Sequence, residues 1–152
     1  MSNSPQISAE NPEDPELLFS CMLISNRDDY RNFLSAMDPI AQWPANIIAN
    51  SFDFSPFKKL IDIGGGSGIY STTIVKKNPN IEAIVFDLPY VCEIGEEIIK
   101  EKGLSHRMKY YSGDYFKDDL PKGVDVALLS NIIHGYGPKS CNFLLKKIHD
   151  SL

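Results

Sequence analysis

From Lys59 onward the chain alternates short apolar runs with amphipathic stretches, and each stretch ends on a residue that stops a helix or turns the chain. Leu60 to Ile63 reads as a buried strand, being too short and too apolar for an exposed helical turn. Ile69 to Lys77 is predicted as a helix closed by Asn78-Pro79, and Glu82 to Leu88 as a second strand. Pro89 to Lys102 is predicted as a helix with proline in its first turn and Gly103 at its stop. Arg107 to Tyr111 and Val124 to Ser130 follow as third and fourth strands, and Pro138 to Leu152 as a final amphipathic helix. Alternation with short connections implies right-handed βαβ units, hence an α/β fold with a mainly parallel sheet covered on both faces. In such a sheet ligands meet the carboxyl ends of the strands, so candidate chemistry is sought just after each strand.

Upstream the pattern is different. Residues 1–15 combine proline with Ser, Asn, Glu and Asp, a composition expected of a disordered tail or linker. From Pro15 to Phe52 apolar residues recur at intervals of three and four: Leu17, Leu18, Cys21 and Met22, then Phe33, Leu34, Met37 and Ile40, then Ile47 and Ile48. Residues 16–55 are therefore expected to form a helical lead-in, with Pro39 and Pro44 each beginning a helical turn, ahead of an α/β domain over 56–152.

The connection after the first strand carries the candidate chemistry. Asp62-Ile63-Gly64-Gly65-Gly66-Ser67-Gly68 leads from strand to helix, and a Gly-x-Gly-x-Gly loop lets backbone approach a ligand because the missing Cβ atoms remove steric barriers and permit positive φ. The dinucleotide fingerprint asks for glycine at the sixth position, where this chain has Ile69 counting from Gly64 or Ser71 counting from Gly66. Asp62 would repel a pyrophosphate but tolerates the ammonium and sulfonium of S-adenosylmethionine (SAM). A turn without any ligand is the bland alternative.

Composition narrows the class further. With 152 residues, 43% hydrophobic and 23% charged, the chain is long enough for one sizeable core. A net charge of −5 with no basic run argues against nucleic acid or an acidic membrane surface as partner. Cys21, Cys92 and Cys141 are odd in number and lack Cys-x-x-Cys spacing, which argues against a disulfide framework or zinc site and suits a reducing, cytoplasmic setting. No metal is expected. Apolar runs such as Val124 to Leu129 are far too short to span a membrane.

Three further strand ends are of interest. Asp87 closes the second strand 19 residues after Gly68, where a carboxylate can take both ribose hydroxyls of an adenosyl group or can instead cap the next helix. Asp114, in Gly113-Asp114-Tyr115-Phe116, follows the third strand and can meet an adenine edge while Tyr115 covers the ring, or can serve as a polar turn residue beside a core aromatic. His134 follows the fourth strand in Asn131-Ile132-Ile133-His134-Gly135-Tyr136-Gly137 and faces the same crevice, as a base or as a structural residue.

The segments "LIDIGGGSG", "FDLPYV", "SGDYF" and "LSNIIHGYGP", in this order and spacing, resemble the SAM-dependent O-methyltransferases that include caffeate, hydroxyindole and acetylserotonin methyltransferases, over about residues 30–152. The resemblance implies a Rossmann-like SAM methyltransferase fold and transfer of a methyl group to a hydroxyl of a small aromatic acceptor. By it Gly64, Gly66 and Gly68 line the methionine portion, Asp87 holds the ribose, Gly113, Asp114 and Tyr115 contact the adenine, and His134 is the general base. Phe33 and Met37 fall on a helix that places an aromatic and a methionine over the acceptor.

The chain also departs from that pattern. His134-Gly135-Tyr136 stands where members typically read His-Asp-Trp, which removes an acceptor-side carboxylate. Ser130 stands where plant members carry a lysine near the adenine, leaving a hydroxyl donor. The resemblance further implies a sheet truncated after the fourth of seven strands, absence of an N-terminal helical dimerisation domain, and a homodimer in the full-length form. Two other classes stay open on the residues: an inactive SAM-binding or assembly module, and an NAD-dependent oxidoreductase.

Overall fold

The computed structural model describes residues 27–152, so the expected tail and the apolar positions Leu17, Leu18, Cys21 and Met22 lie outside the described residues. The described chain runs α1 (Arg27–Ser51), β1 (Lys59–Ile63), α2 (Ile69–Lys77), β2 (Glu82–Asp87), α3 (Pro89–Glu101), β3 (Met108–Ser112), β4 (Val126–Leu128), a 3₁₀ turn (Ile133–Gly135) and α4 (Pro138–His149). The strands form one sheet in the order β3-β2-β1-β4, every pair parallel, as the alternation predicts.

Period-two alternation sends successive residues to opposite faces. Leu60, Ala83 and Val85 pack with Ile74, Val75, Cys92 and Ile99 on the α2/α3 face, while Ile61, Ile63 and Phe86 pack with Leu144 and Ile148 of α4 on the other. Asp62 shares the α2/α3 face with Leu60, so its carboxylate is buried beneath the helix that follows the glycine loop.

α1 covers the edge of this core. Tyr30 and Leu34 pack against Val91, Ile94 and Ile98 of α3. Arg31 bridges Glu97 and Glu101 at 2.8 Å each, and Arg27 also pairs with Glu97. Gln42 donates to Thr73 Oγ1 at 3.1 Å, tying the middle of α1 to α2. Pro39 and Pro44 do not begin new turns: one helix continues through both. Proline deletes single backbone bonds there, and packing of Leu34, Ala45 and Ala49 on the domain outweighs the loss.

The fourth strand is shorter than predicted. Its ladder spans only Leu60↔Val126 to Asp62↔Leu128. Upstream, Asp125 Oδ2 accepts the N–H groups of Lys58 and Lys59 at 2.8 and 2.7 Å, so a side chain takes the Lys59 donor that a longer ladder would have used. Downstream, Asn131 adopts φ 58° and turns the chain out of the sheet.

Candidate active site

The strand order reverses between β1 and β4, which makes the crevice beyond their carboxyl ends the topological switch point where α/β sheets bind ligands. The glycine loop closes one side of it. Gly64, Gly66 and Gly68 have φ of 63°, 56° and 70°, and Gly68 is also the N-terminal residue flanking α2. A Cβ on Gly68 would lie 2.7 Å from the Tyr110 hydroxyl, so this position needs glycine for both conformation and space. From the β4 side Ile132 packs onto Gly64, with Tyr115 nearby at 3.5 Å from where a Gly64 Cβ would stand.

Asp87 binds the loop to the next strand. Its Oδ2 accepts the Gly66 N–H at 2.8 Å and its Oδ1 the Leu88 N–H at 2.7 Å. The flanking residue of α3 is Leu88 rather than Asp87, so capping is not what this carboxylate does. Each oxygen keeps lone pairs for further donors. Burial raises the Asp87 carboxyl to about 6, opposed by the two N–H bonds that favour the ionised form.

Asp62 is fully buried, accepts the Ser71 hydroxyl on Oδ2 at 2.7 Å, and has no hydrogen-bond partner on Oδ1 among the described residues. Burial raises its carboxyl to about 7. An orphaned oxygen beneath a glycine loop is an acceptor awaiting a donor, and unpaired buried polar atoms are costly.

The β3 end meets the same place. The Gly113 N–H donates to the Asp87 carbonyl at 2.9 Å, which sets the Gly113–Phe116 turn beside the ribose candidate. Asp114 organises its own turn: Oδ1 accepts the Phe116 N–H at 2.9 Å, and Lys117 pairs with Oδ2 at 3.3 Å. Tyr115 and Tyr136 share a hydroxyl–hydroxyl bond of 2.6 Å, bridging the loops after β3 and β4, and Phe116 packs edge-on to Tyr136. Ser130 is half-buried just past β4, and His134 sits exposed in the 3₁₀ turn two residues beyond Ile132.

The structure thus gathers Gly64, Gly66, Gly68, Asp87, Gly113 and Tyr115 at one crevice. Phe33 packs instead toward Tyr30 and the α3 cluster, and Met37 is exposed on α1. The residues of α1 that reach the loop are Leu34, 3.3 Å from where a Gly66 Cβ would lie, and Asp38, which accepts the Ser67 hydroxyl. Sequence reading missed these two, together with Tyr110 and Ile132. Tyr110 was detectable by alternation, since Met108 and Tyr110 point inward while Lys109 and Tyr111 point out. Two cavities, of about 610 Å³ beside Phe52, Lys77 and Asn78 and about 420 Å³ beside Ile47 and Leu128, lie away from the glycine loop.

A parallel sheet with a glycine loop and an acid on the neighbouring strand at its switch point defines a doubly wound α/β protein of the cofactor-binding kind. The chain belongs to the O-methyltransferase domain family, which it matches over residues 17–152. It is 31% identical to acetylserotonin O-methyltransferase of Bos taurus over 134 residues, covering 88% of this chain and 38% of that protein. Its fold matches the mitomycin 7-O-methyltransferase MmcR with a TM-score of 0.79 at 26% identity, covering 88% and 39% of the two chains. Human N-acetylserotonin methyltransferase, solved in complex with SAM, gives 0.77 at 25% identity, covering 90% and 38%. The chain therefore spans about two fifths of the length of these relatives.

Proposed function

We propose that this chain binds SAM at the glycine loop and serves methyl transfer to a hydroxyl of a small aromatic acceptor. The observation that carries the reading is the set around Gly66: a left-handed glycine loop tied to a half-buried acid on β2, above a fully buried acid, Asp62, with one oxygen unpartnered among the described residues. Such residues fit SAM. Gly64, Gly66 and Gly68 would admit the methionine portion, Asp87 the ribose hydroxyls, and Gly113, Asp114, Tyr115 and Ser130 the adenine side. Asp62, whose Oδ1 has no partner among the described residues, suits a cationic ammonium nearby. Family membership and a SAM-bound structural relative support this assignment over an inactive module or a nicotinamide enzyme.

When bound, SAM supplies an electrophilic methyl carbon on a sulfonium that leaves as a neutral thioether. The chain's own part is positioning and one proton. His134 is assigned as the base that takes the acceptor's hydroxyl proton; an imidazole is a much weaker base than a phenolate, so transfer must accompany oxygen–carbon bond formation rather than precede it. On the resemblance Met37, exposed on α1, is assigned to the acceptor side, whereas Phe33 packs toward Tyr30 and α3 and is not. We further assign the protein to the cytoplasm, on Cys92 and Cys141, which form no disulfide among the described residues, and its full-length form to a homodimer, on the family resemblance. Among the described residues no helix is long and apolar enough to cross a membrane. Residues 56–152 form the SAM domain in this reading and 16–55 its helical lead-in.

Calorimetric titration with SAM, S-adenosylhomocysteine and NAD tests the cofactor assignment. Saturable binding of the first two and none of the third is expected; NAD binding without SAM binding would overturn it.

A further inference from the structure

We propose that Tyr110 is a positioning residue for the cofactor loop, its hydroxyl holding Gly66 in the orientation that SAM binding requires. The inference rests on the reading of this loop as a SAM site. Gly66 is gripped at both of its peptide groups: its N–H donates to Asp87 Oδ2 at 2.8 Å, and its carbonyl accepts the Tyr110 hydroxyl at 3.1 Å. The two anchors come from neighbouring strands, Tyr110 lying opposite Val85 in the β2–β3 register and Asp87 ending β2. A loop residue with φ 56° and no side chain has little of its own to fix its peptide planes. What its N–H and carbonyl bond to decides where they point.

The surroundings are cut to the shape of this one side chain. A Cβ on Gly95 of α3 would run into the Tyr110 ring, and a Cβ on Gly68 would meet its hydroxyl at 2.7 Å. Two glycines in separate elements thus clear space for a ring that is 7% exposed. Phenylalanine would fill the same space. What tyrosine adds is a buried hydroxyl, and a buried hydroxyl must be paired. Its partner is the carbonyl of the residue whose N–H engages the ribose-binding acid. Loss of the hydroxyl frees the Gly66 peptide to rotate, and the Asp87 oxygen that a ribose hydroxyl must share is then no longer held in register with the loop.

The test is Tyr110→Phe, read by SAM calorimetry together with amide hydrogen exchange. We expect SAM to bind about 3- to 12-fold more weakly, the loss of one neutral hydrogen bond, while exchange quickens at Gly66 and Ser67 and stays slow at Ile63 and Val85. Unchanged affinity overturns the proposal whatever exchange shows. Weaker binding with uniformly faster exchange across β1 and β2 also overturns it, because the hydroxyl then only stabilises the fold. A wild-type chain that binds no SAM fails the cofactor reading itself, an outcome distinct from wild-type binding that the variant retains in full.

Discussion

Asp87 and Gly66, 21 positions apart in the chain, are joined by a 2.8 Å bond from the Gly66 N–H to the Asp87 carboxylate. The bond crosses from the end of β2 to the loop after β1, so the same acid that would face a ribose also holds the loop that would face the methionine. Asp87→Ala should therefore weaken SAM binding through both effects. Removing a charge-assisted acceptor corresponds to about 1.5–3 kcal/mol, or roughly 10- to 150-fold in affinity. Equal calorimetric affinity in wild type and variant would remove Asp87 from the site.

Gly68→Ala asks a residue with a Cβ to adopt φ 70° against the Tyr110 hydroxyl. Left-handed backbone costs a non-glycine residue about 1–2 kcal/mol before any steric term. Urea unfolding of the ligand-free protein should show a lower midpoint with an unchanged slope. An unshifted midpoint would mean that the loop relaxes into a negative φ without cost.

Asp62 makes a signed prediction about pH. Burial holds its carboxyl at about 7 in the folded chain against an ordinary 3.8, so between those values the folded state keeps a proton that the unfolded state has released. The folded state binds more protons there, and stability falls as pH rises through that window. Asp62→Asn keeps an acceptor for Ser71 but cannot ionise, so the stability of wild type relative to this variant should decline from about pH 4 to pH 7. Asp53 and Asp125, whose pKa values are lowered by bonds from Ser55 and from the Lys58 and Lys59 N–H groups, contribute with the opposite sign but equally in both proteins. A difference that is flat in pH would show Asp62 ionised in the fold.

His134→Gln separates chemistry from binding. The residue is exposed in its 3₁₀ turn, so replacement should leave the fold and SAM affinity within about a factor of two, while turnover drops by roughly 10² to 10⁴. Phenols acidified by electron-withdrawing groups ionise without help and should recover part of the lost rate. A variant that turns over every phenol as fast as wild type would leave His134 no part in proton removal.

Local pattern was sufficient wherever one residue's neighbours in sequence are also its neighbours in space. The β1–Gly loop–α2 unit was legible because strand, glycines and helix are contiguous, and Gly64, Gly66 and Gly68 do take positive φ. Parallel pairing beyond that followed from the βαβ alternation, whereas the order β3-β2-β1-β4 became visible only in the tertiary structure. Pro39 and Pro44 misled for the converse reason: propensity describes an isolated helix, whereas α1 is stabilised by Leu34, Ala45 and Ala49 packing on the domain. The late start of β4 was hidden in the same way, since Asp125 had to be seen bonding Lys58 and Lys59 across 67 and 66 positions.

By itself, then, the sequence determined the alternating α/β order, the glycine loop, the acids at strand ends and the family to which they point. Those are matters of residue type and short-range spacing. Only the tertiary structure decided that Asp87 spends an oxygen on Gly66, that Tyr110 takes the other side of the same peptide, that Ile132 and Leu34 pack on the glycines, and that Phe33 turns toward α3. Each of these joins residues that no repeat period relates, and a buried donor, acceptor or ring finds its partner by the packing of whole elements, a choice made by three-dimensional proximity and not by position along the chain.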